Sequence, residues 1–167
     1  MSGGGPGGSS QRPHGDRSMA RLAAVQALYQ IEISEADAED VIDEFVRHRL
    51  CAGAEDALPL EADTGLFAAL VRGASARRAD VDPLIGGALA EGWTVNRLEL
   101  LLRAVLRCGT FELLGRPDVP ARVVIDEYVE VAQAFFERGE PGLVNGVLDR
   151  LAHELRSAEF PTQGGAP

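Results

Sequence analysis

Residues 95–114 read VNRLELLLRAVLRCGTFELL. Wound at about 100° per residue, this stretch carries apolar side chains around nearly its whole circumference. Only Glu99, Arg103, Arg107 and Thr110 make a narrow polar stripe. A helix that is apolar almost all round must be covered on most sides, so this segment predicts a central helix with others packed about it. Gly115 closes it and Pro117 prevents its continuation. One residue breaks the pattern. Glu112 projects onto the apolar arc, where an unpaired carboxylate is expensive. Its predicted role is structural, accepting hydrogen bonds from a buried partner such as an arginine or a helix N-terminus.

Working outward, six further helical segments and no convincing strand are legible. The first runs from about Arg17 to Ile33, with Leu22, Val25 and Leu28/Tyr29 on one face. Ser34 is the expected cap of the second, which carries Val41, Phe45 and Val46 and ends near Leu50. CAGAEDALPLE (51–61) reads as a loop, and a third helix follows from about Ala62 with Leu66, Phe67, Leu70 and Val71. A short fourth helix is expected after Asp82-Pro83, stopping at Gly92, with Trp93 as a plug between it and the central fifth helix. Pro120 opens the sixth at a favoured position and Gly139 ends it; Pro141 starts the seventh. The fold class is therefore all-α, a bundle of about seven helices. Residues 1–16 (MSGGGPGGSSQRPHGD) and 158–167 have the Gly/Ser/Pro/Gln character of disordered tails, leaving 17–157 as one domain.

Composition narrows the function. All 16 basic residues of the 167 are arginine, and the net charge is −10. The averaged field repels a phosphate polymer, which argues against indiscriminate nucleic-acid binding and leaves room only for a local basic patch. Cys51 and Cys108 are too far apart in sequence to read as a disulfide framework, and no signal peptide or membrane-length apolar run is visible. A cytoplasmic setting is expected.

Catalytic signals are weak. His48 and Cys51 have a ligand-like spacing, but a metal site needs three or four ligands and no second pair exists. The seven carboxylates within residues 32–44 lie on an amphipathic helix and read as a solvated face. No phosphate-cradling glycine loop has the strand-turn-helix context it would need. The chain reads as a non-enzymatic binding protein with no cofactor.

Residues 1–31 hold Arg12, Arg17 and Arg21 against the single acid Asp16, a local charge of +2. Arg17 and Arg21 stand one helical turn apart, as do Arg103 and Arg107. Two readings stay open for each pair: a small phosphate-binding surface, or arginines neutralised by nearby acids. A second oddity is Asn145-Gly146, a turn dipeptide set inside the helical pattern of LVNGVLDRLAHELR (143–156). Either tight packing with a side-chain cap or close approach by an outside partner would explain it.

Three ordered blocks, ARLAAVQALYQ (20–30), LLRAVLRCGTFELLGRPDVPARVVIDEYVEVAQAF (101–135) and LVNGVLDRLA (143–152), with Trp93 and Arg97 before them, resemble the bacterial NusB family of transcription antitermination factors. The resemblance implies an all-α fold of two packed helical sub-bundles. It also implies association with NusE, a small-subunit ribosomal protein, and joint binding of the single-stranded boxA element of nascent RNA. That complex helps RNA polymerase read through terminators, notably in ribosomal RNA operons. On this reading Arg17 and Arg21 position phosphates, Gln26 and Tyr29 belong to the same block, and Arg103 and Asn145 are further RNA-contact candidates. A homodimer is compatible with such a bundle.

The chain departs from the family pattern where Leu143 replaces a common Phe, Leu102 a common Glu and Asp126 a usual Asn. These departures bear on RNA contact more than on fold, since a leucine cannot stack on a base as an aromatic does. They motivate an alternative: a protein–protein adaptor that keeps the NusE surface with little RNA affinity. RNA cytosine methyltransferases also carry a NusB-like N-terminal domain, but this chain is expected to end too soon after the seventh helix to hold a methyl-donor domain.

Overall fold

The computed structural model describes residues 15–50 and 63–161, and its regular elements among them are helical. We label them α1 (Asp16–Ser34), α2 (Ala38–His48), α3 (Thr64–Ala76), α4 (Arg78–Ala88), α5 (Leu100–Gly115), α6 (Ala121–Phe135) and α7 (Glu140–Leu155). Short 3-10 turns, Val95–Arg97 and Ser157–Glu159, precede α5 and follow α7. The loop expected at 51–61, the Cys51 half of the ligand-like pair and most of both tails lie outside the described residues.

The central position of α5 follows from its side chains. Eleven of its sixteen residues are buried, and it touches α1, α3, α4, α6 and α7. Its crossing with α3 is close because Gly73 offers no side chain: a Cβ there would fall 2.0 Å from Cζ of Phe111. Helices α1, α2 and α3 pack together on one side and the α6–α7 hairpin on the other, with one continuous apolar core between.

Helix directions come from polar contacts. Arg21, in the first half of α1, reaches Glu112 near the end of α5, while Arg103 at the start of α5 lies 3.8 Å from Glu32 near the end of α1. The two helices are therefore antiparallel. Ser18 donates to Glu127 in α6, and Tyr29 and Phe135 line one groove, so α6 runs with α1 and α7 returns. One end of the bundle thus gathers the end of α1, the start of α5, the end of α6 and the start of α7. The other end gathers their opposites.

Several boundaries differ from the sequence reading, each for a physical reason. Ser34 does not cap α2. It ends α1, where its hydroxyl donates to Gln30 O, and Asp37 caps α2 by accepting from Glu39 N. Helix α3 is likewise capped by Asp63, which accepts from Leu66 N. Helix α4 starts at Arg78 rather than after Pro83, so the proline sits within it. The fully buried Val81 and Ile85 hold that helix to the core and outweigh one missing N–H. Glu99 immediately precedes α5 as its N-cap, and the expected start at Val95 is a separate 3-10 turn. Trp93 is no plug: it is 51% exposed, and Val95 and Leu98 fill the interior instead. The polar stripe of α5 is largely buried, because α4 covers it and Asp82 accepts from Arg107 Nε and Nη2 at 2.8 and 3.0 Å.

Candidate nucleic-acid interface

The buried carboxylate of α5 decides what the N-terminal arginines can do. Glu112 is fully buried, and its two oxygens are both 3.0 Å from Arg21 Nε, with Nη2 2.6 Å from Oε1. Tyr128 Oη donates to Oε2 at 2.7 Å and sits 3.1 Å from Cys108 Sγ. The single hydroxyl proton of Tyr128 goes to Glu112, so the thiol is the donor in the second contact. Glu127 adds a further charge 3.6 Å from Arg21 Nη1. Burial opposes the charge on Arg21, but hydrogen bonds and charge from Glu112 raise its pKa above the ordinary arginine value. Burial also pushes the Cys108 thiol up to about 12 and the Tyr128 hydroxyl well above its ordinary value.

Arg21 is therefore not a phosphate contact. The expectation from the Arg17/Arg21 spacing fails because a buried carboxylate needs a buried cation, and Arg21 is the cation that α1 supplies. The structural role expected of Glu112 is the one observed. Arg17, one turn earlier, projects from the first turn of α1 into solvent and forms no ion pair among the described residues.

Arg103 is also committed internally. Its Nε donates to Leu98 O at 2.8 Å and its Nη2 to Asn96 O at 2.9 Å, tying the 3-10 turn to α5. Arg107, 6% exposed, is held by Asp82 and Glu32. For this pair the internal reading holds, and Arg103 is withdrawn as a free phosphate contact.

Gln26 and Tyr29 do meet a common surface. They line a shallow groove of about 470 Å³ with Ile33, Arg49, Leu101 and Phe135. Arg49 is an addition that spacing misses at first sight: its guanidinium lies 4.5 Å from the Phe45 ring centroid. The signal was present in the i,i+4 spacing of Phe45 and Arg49. Along α1, Arg17 and Tyr29 are 12 residues and so roughly 18 Å apart. The candidate residues are thus spread along the helix rather than clustered at its start.

Asn145 and Gly146 lie on the exposed face of α7, in its second turn. A Cβ on Gly146 would meet nothing within 4 Å. The tight-packing reading of this dipeptide fails for that reason. Nor does Asn145 cap the helix: the N-cap is Gly139, without a side-chain cap hydrogen bond.

Among the described residues no group of three or more His, Cys, Asp or Glu side chains is arranged to hold a metal ion, and no helix is long and apolar enough to cross a membrane. Arg103, Arg107 and Glu112 of α5 are engaged in internal contacts, while Arg17, Trp93, Arg97 and Asn145 are exposed and Gln26 and Tyr29 line a surface groove. This is the layout of an all-α binding module. A model of the NusB family matches residues 18–153, and the chain belongs to that family. It is similar to a transcription antitermination protein NusB from Maricaulis maris, 54% identical over 144 residues that make up 86% of this chain and 90% of the relative. The corresponding protein of Agrobacterium fabrum is 46% identical over 154 residues, 92% of this chain and 93% of that one. Among solved structures, T. maritima NusB superposes with a TM-score of 0.71 at 34% identity, covering 86% of this chain and 96% of that one.

Proposed function

We propose that this protein is a transcription antitermination factor that joins NusE on the boxA element of nascent RNA in the cytoplasm, helping RNA polymerase read through terminators in ribosomal RNA operons. Family membership across 18–153 and the names of the relatives support the antitermination role. The observation that carries the contact surface is Asn145-Gly146. Both residues lower helix stability, both are exposed, and no internal packing requires the glycine. Two unfavourable residues on a solvent face leave room for an external partner. Gly146 lets a backbone approach closely, and Asn145 presents a donor and an acceptor to a base edge. Arg17 supplies a phosphate contact, and the Gln26–Tyr29 groove offers a surface between Arg17 and the far end of α1.

Titration of labelled boxA RNA at two ionic strengths, with and without NusE, tests the reading. Arg17→Ala weakens binding and lowers the salt slope by about one. Asn145→Ala weakens binding with little change in slope. Unchanged affinity in both variants defeats this surface assignment. The adaptor reading draws on a specific observation, the engagement of Arg21, Arg103 and Arg107 in internal contacts. It predicts tight NusE binding and little boxA binding by the protein alone.

A further inference from the structure

The turn between α4 and α5 holds a feature that the antitermination reading leaves unused. Trp93, the sole tryptophan of the chain, is 51% exposed, and Arg97 Cζ lies 5.4 Å from the centre of its ring. Exposing half of an indole costs hydrophobic free energy that burial would recover. The arrangement is nonetheless rigidly built. Gly92 adopts φ +87°, and Arg97 Nη1 donates to its carbonyl at 2.8 Å. Trp93 N donates to Ala90 O, Arg97 N to Thr94 O, and Arg103 fastens both Asn96 O and Leu98 O. Val95 and Leu98 anchor the turn in the core. The aromatic ring and the cation are held in place before any ligand arrives, which lowers the ordering cost of binding.

The surroundings point to the chemistry of the ligand. Glu91, Gly92, Thr94, Asn96, Arg97 and Glu99 of the same turn are exposed, and the other exposed large apolar residues of the described chain, Ile33 and Val123, belong to α1 and α6. No other large apolar residue is exposed in this turn, so the indole is not part of an extended apolar patch of the kind that marks a protein-docking surface. A planar base needs only the free face of the indole, and a neighbouring phosphate needs only a cation. Arg97 forms no salt bridge with a carboxylate among the described residues, although Glu91 and Glu99 flank the turn. Its neighbours Arg103 and Arg107 lie against Glu32 and Asp82.

We propose that Trp93 and Arg97 form a stacking platform for one unpaired base of single-stranded RNA, with Arg97 beside the adjoining phosphate. The proposal rests on the RNA-binding reading above and extends it to a second contact. Arg103 ties this turn to the start of α5, and Leu101 two residues earlier lines the Tyr29 groove.

Because Trp93 is the sole tryptophan, its fluorescence reports this site alone. Full-length protein with NusE is titrated with boxA RNA carrying flanking nucleotides on both sides, following tryptophan emission and the anisotropy of labelled RNA together. The proposal predicts quenching with the same midpoint as the anisotropy change. Trp93→Ala loses roughly 5- to 150-fold in affinity, Trp93→Phe recovers part of it, and Arg97→Gln lowers the salt slope by about one. RNA bound with full anisotropy change but unaltered emission, and unaltered affinity in Trp93→Ala, overturns the platform and leaves the antitermination reading standing. Emission that responds to NusE alone and not to RNA also overturns it, in favour of a protein contact. Absence of RNA binding by wild type with NusE defeats both readings.

Discussion

The two ends of α5 are built on opposite principles. At its C-terminal end polar groups are sealed inside. Arg21, Glu112, Tyr128 and Cys108 form one buried chain across α1, α5 and α6. Just beyond, Arg156 donates to the carbonyls of Leu113, Arg116 and Val119, while Glu159 accepts from Ala121 N and thereby caps α6. At the N-terminal end the same kinds of group face water: Trp93 with Arg97, Tyr29, Arg49, and Asn145 on the neighbouring α7. The difference teaches that an arginine's function in this chain depends on which acceptors the packed helices bring within its reach. Arg21 is neutralised by a buried carboxylate, Arg107 by Glu32 and Asp82, and Arg103 and Arg156 are tied mainly to backbone carbonyls, whereas Arg17 and Arg97 form no ion pair among the described residues.

The largest expected effect breaks the sealed end. Glu112→Leu leaves Arg21 charged in the core with only Glu127, 3.6 Å away, as a partner, and costs about 3–5 kcal/mol in urea unfolding. Adding Arg21→Met to Glu112→Leu restores most of that loss, because the pair is removed together. If the double variant is as unstable as the single one, the contact is not the source of the cost. Next, Arg156→Ala strips three carbonyls and Glu159 of their shared donor, for a loss of about 2–3 kcal/mol by the same measurement.

Alkaline pH sharpens the contrast further. Below about pH 8 Cys108 is protonated in both folded and unfolded chains and contributes no pH dependence. Above that value the unfolded chain releases the proton while burial keeps the native thiol, with its pKa pushed up to about 12, protonated. Stability therefore falls as pH rises, by about 1.4 kcal/mol per pH unit for this group, and Tyr128 adds to the fall near pH 10. Denaturant midpoints measured from pH 8 to 10.5 check the sign. A Cys108→Ala variant should show the shallower slope.

The smallest effect lies at the open end and has the opposite sign. Gly146→Ala meets open space and adds about 0.5–1 kcal/mol of stability. The same change weakens boxA–NusE complex formation in an anisotropy titration, where the alanine obstructs close approach. A variant both less stable and fully active reverses the comparison.

Much of this was legible beforehand, and the failures have a common cause. The apolar circumference of residues 95–114 identified the central helix, and the isolated acid at Glu112 announced a buried partner. The identity of that partner was not legible. Spacing placed Arg17 and Arg21 on one side of one helix, yet 91 residues separate Arg21 from Glu112. No local pattern records a contact of that range. Trp93 failed as a plug for the converse reason: hydrophobicity predicts burial, but a rigid turn fastened by Arg97 and Arg103 holds the ring outside. Pro83 misled because a proline disfavours a helix interior only until core burial on both sides of it outweighs one lost bond.

By itself the amino-acid order determined the helical class, the central element and the carboxylate that had to be satisfied, because periodicity and the cost of desolvation act over a few residues. Only the tertiary structure decided which arginines are neutralised in the core and which remain at the surface. That choice depends on electrostatic pairing at a few ångströms between positions remote in sequence, and it is made when the helices pack.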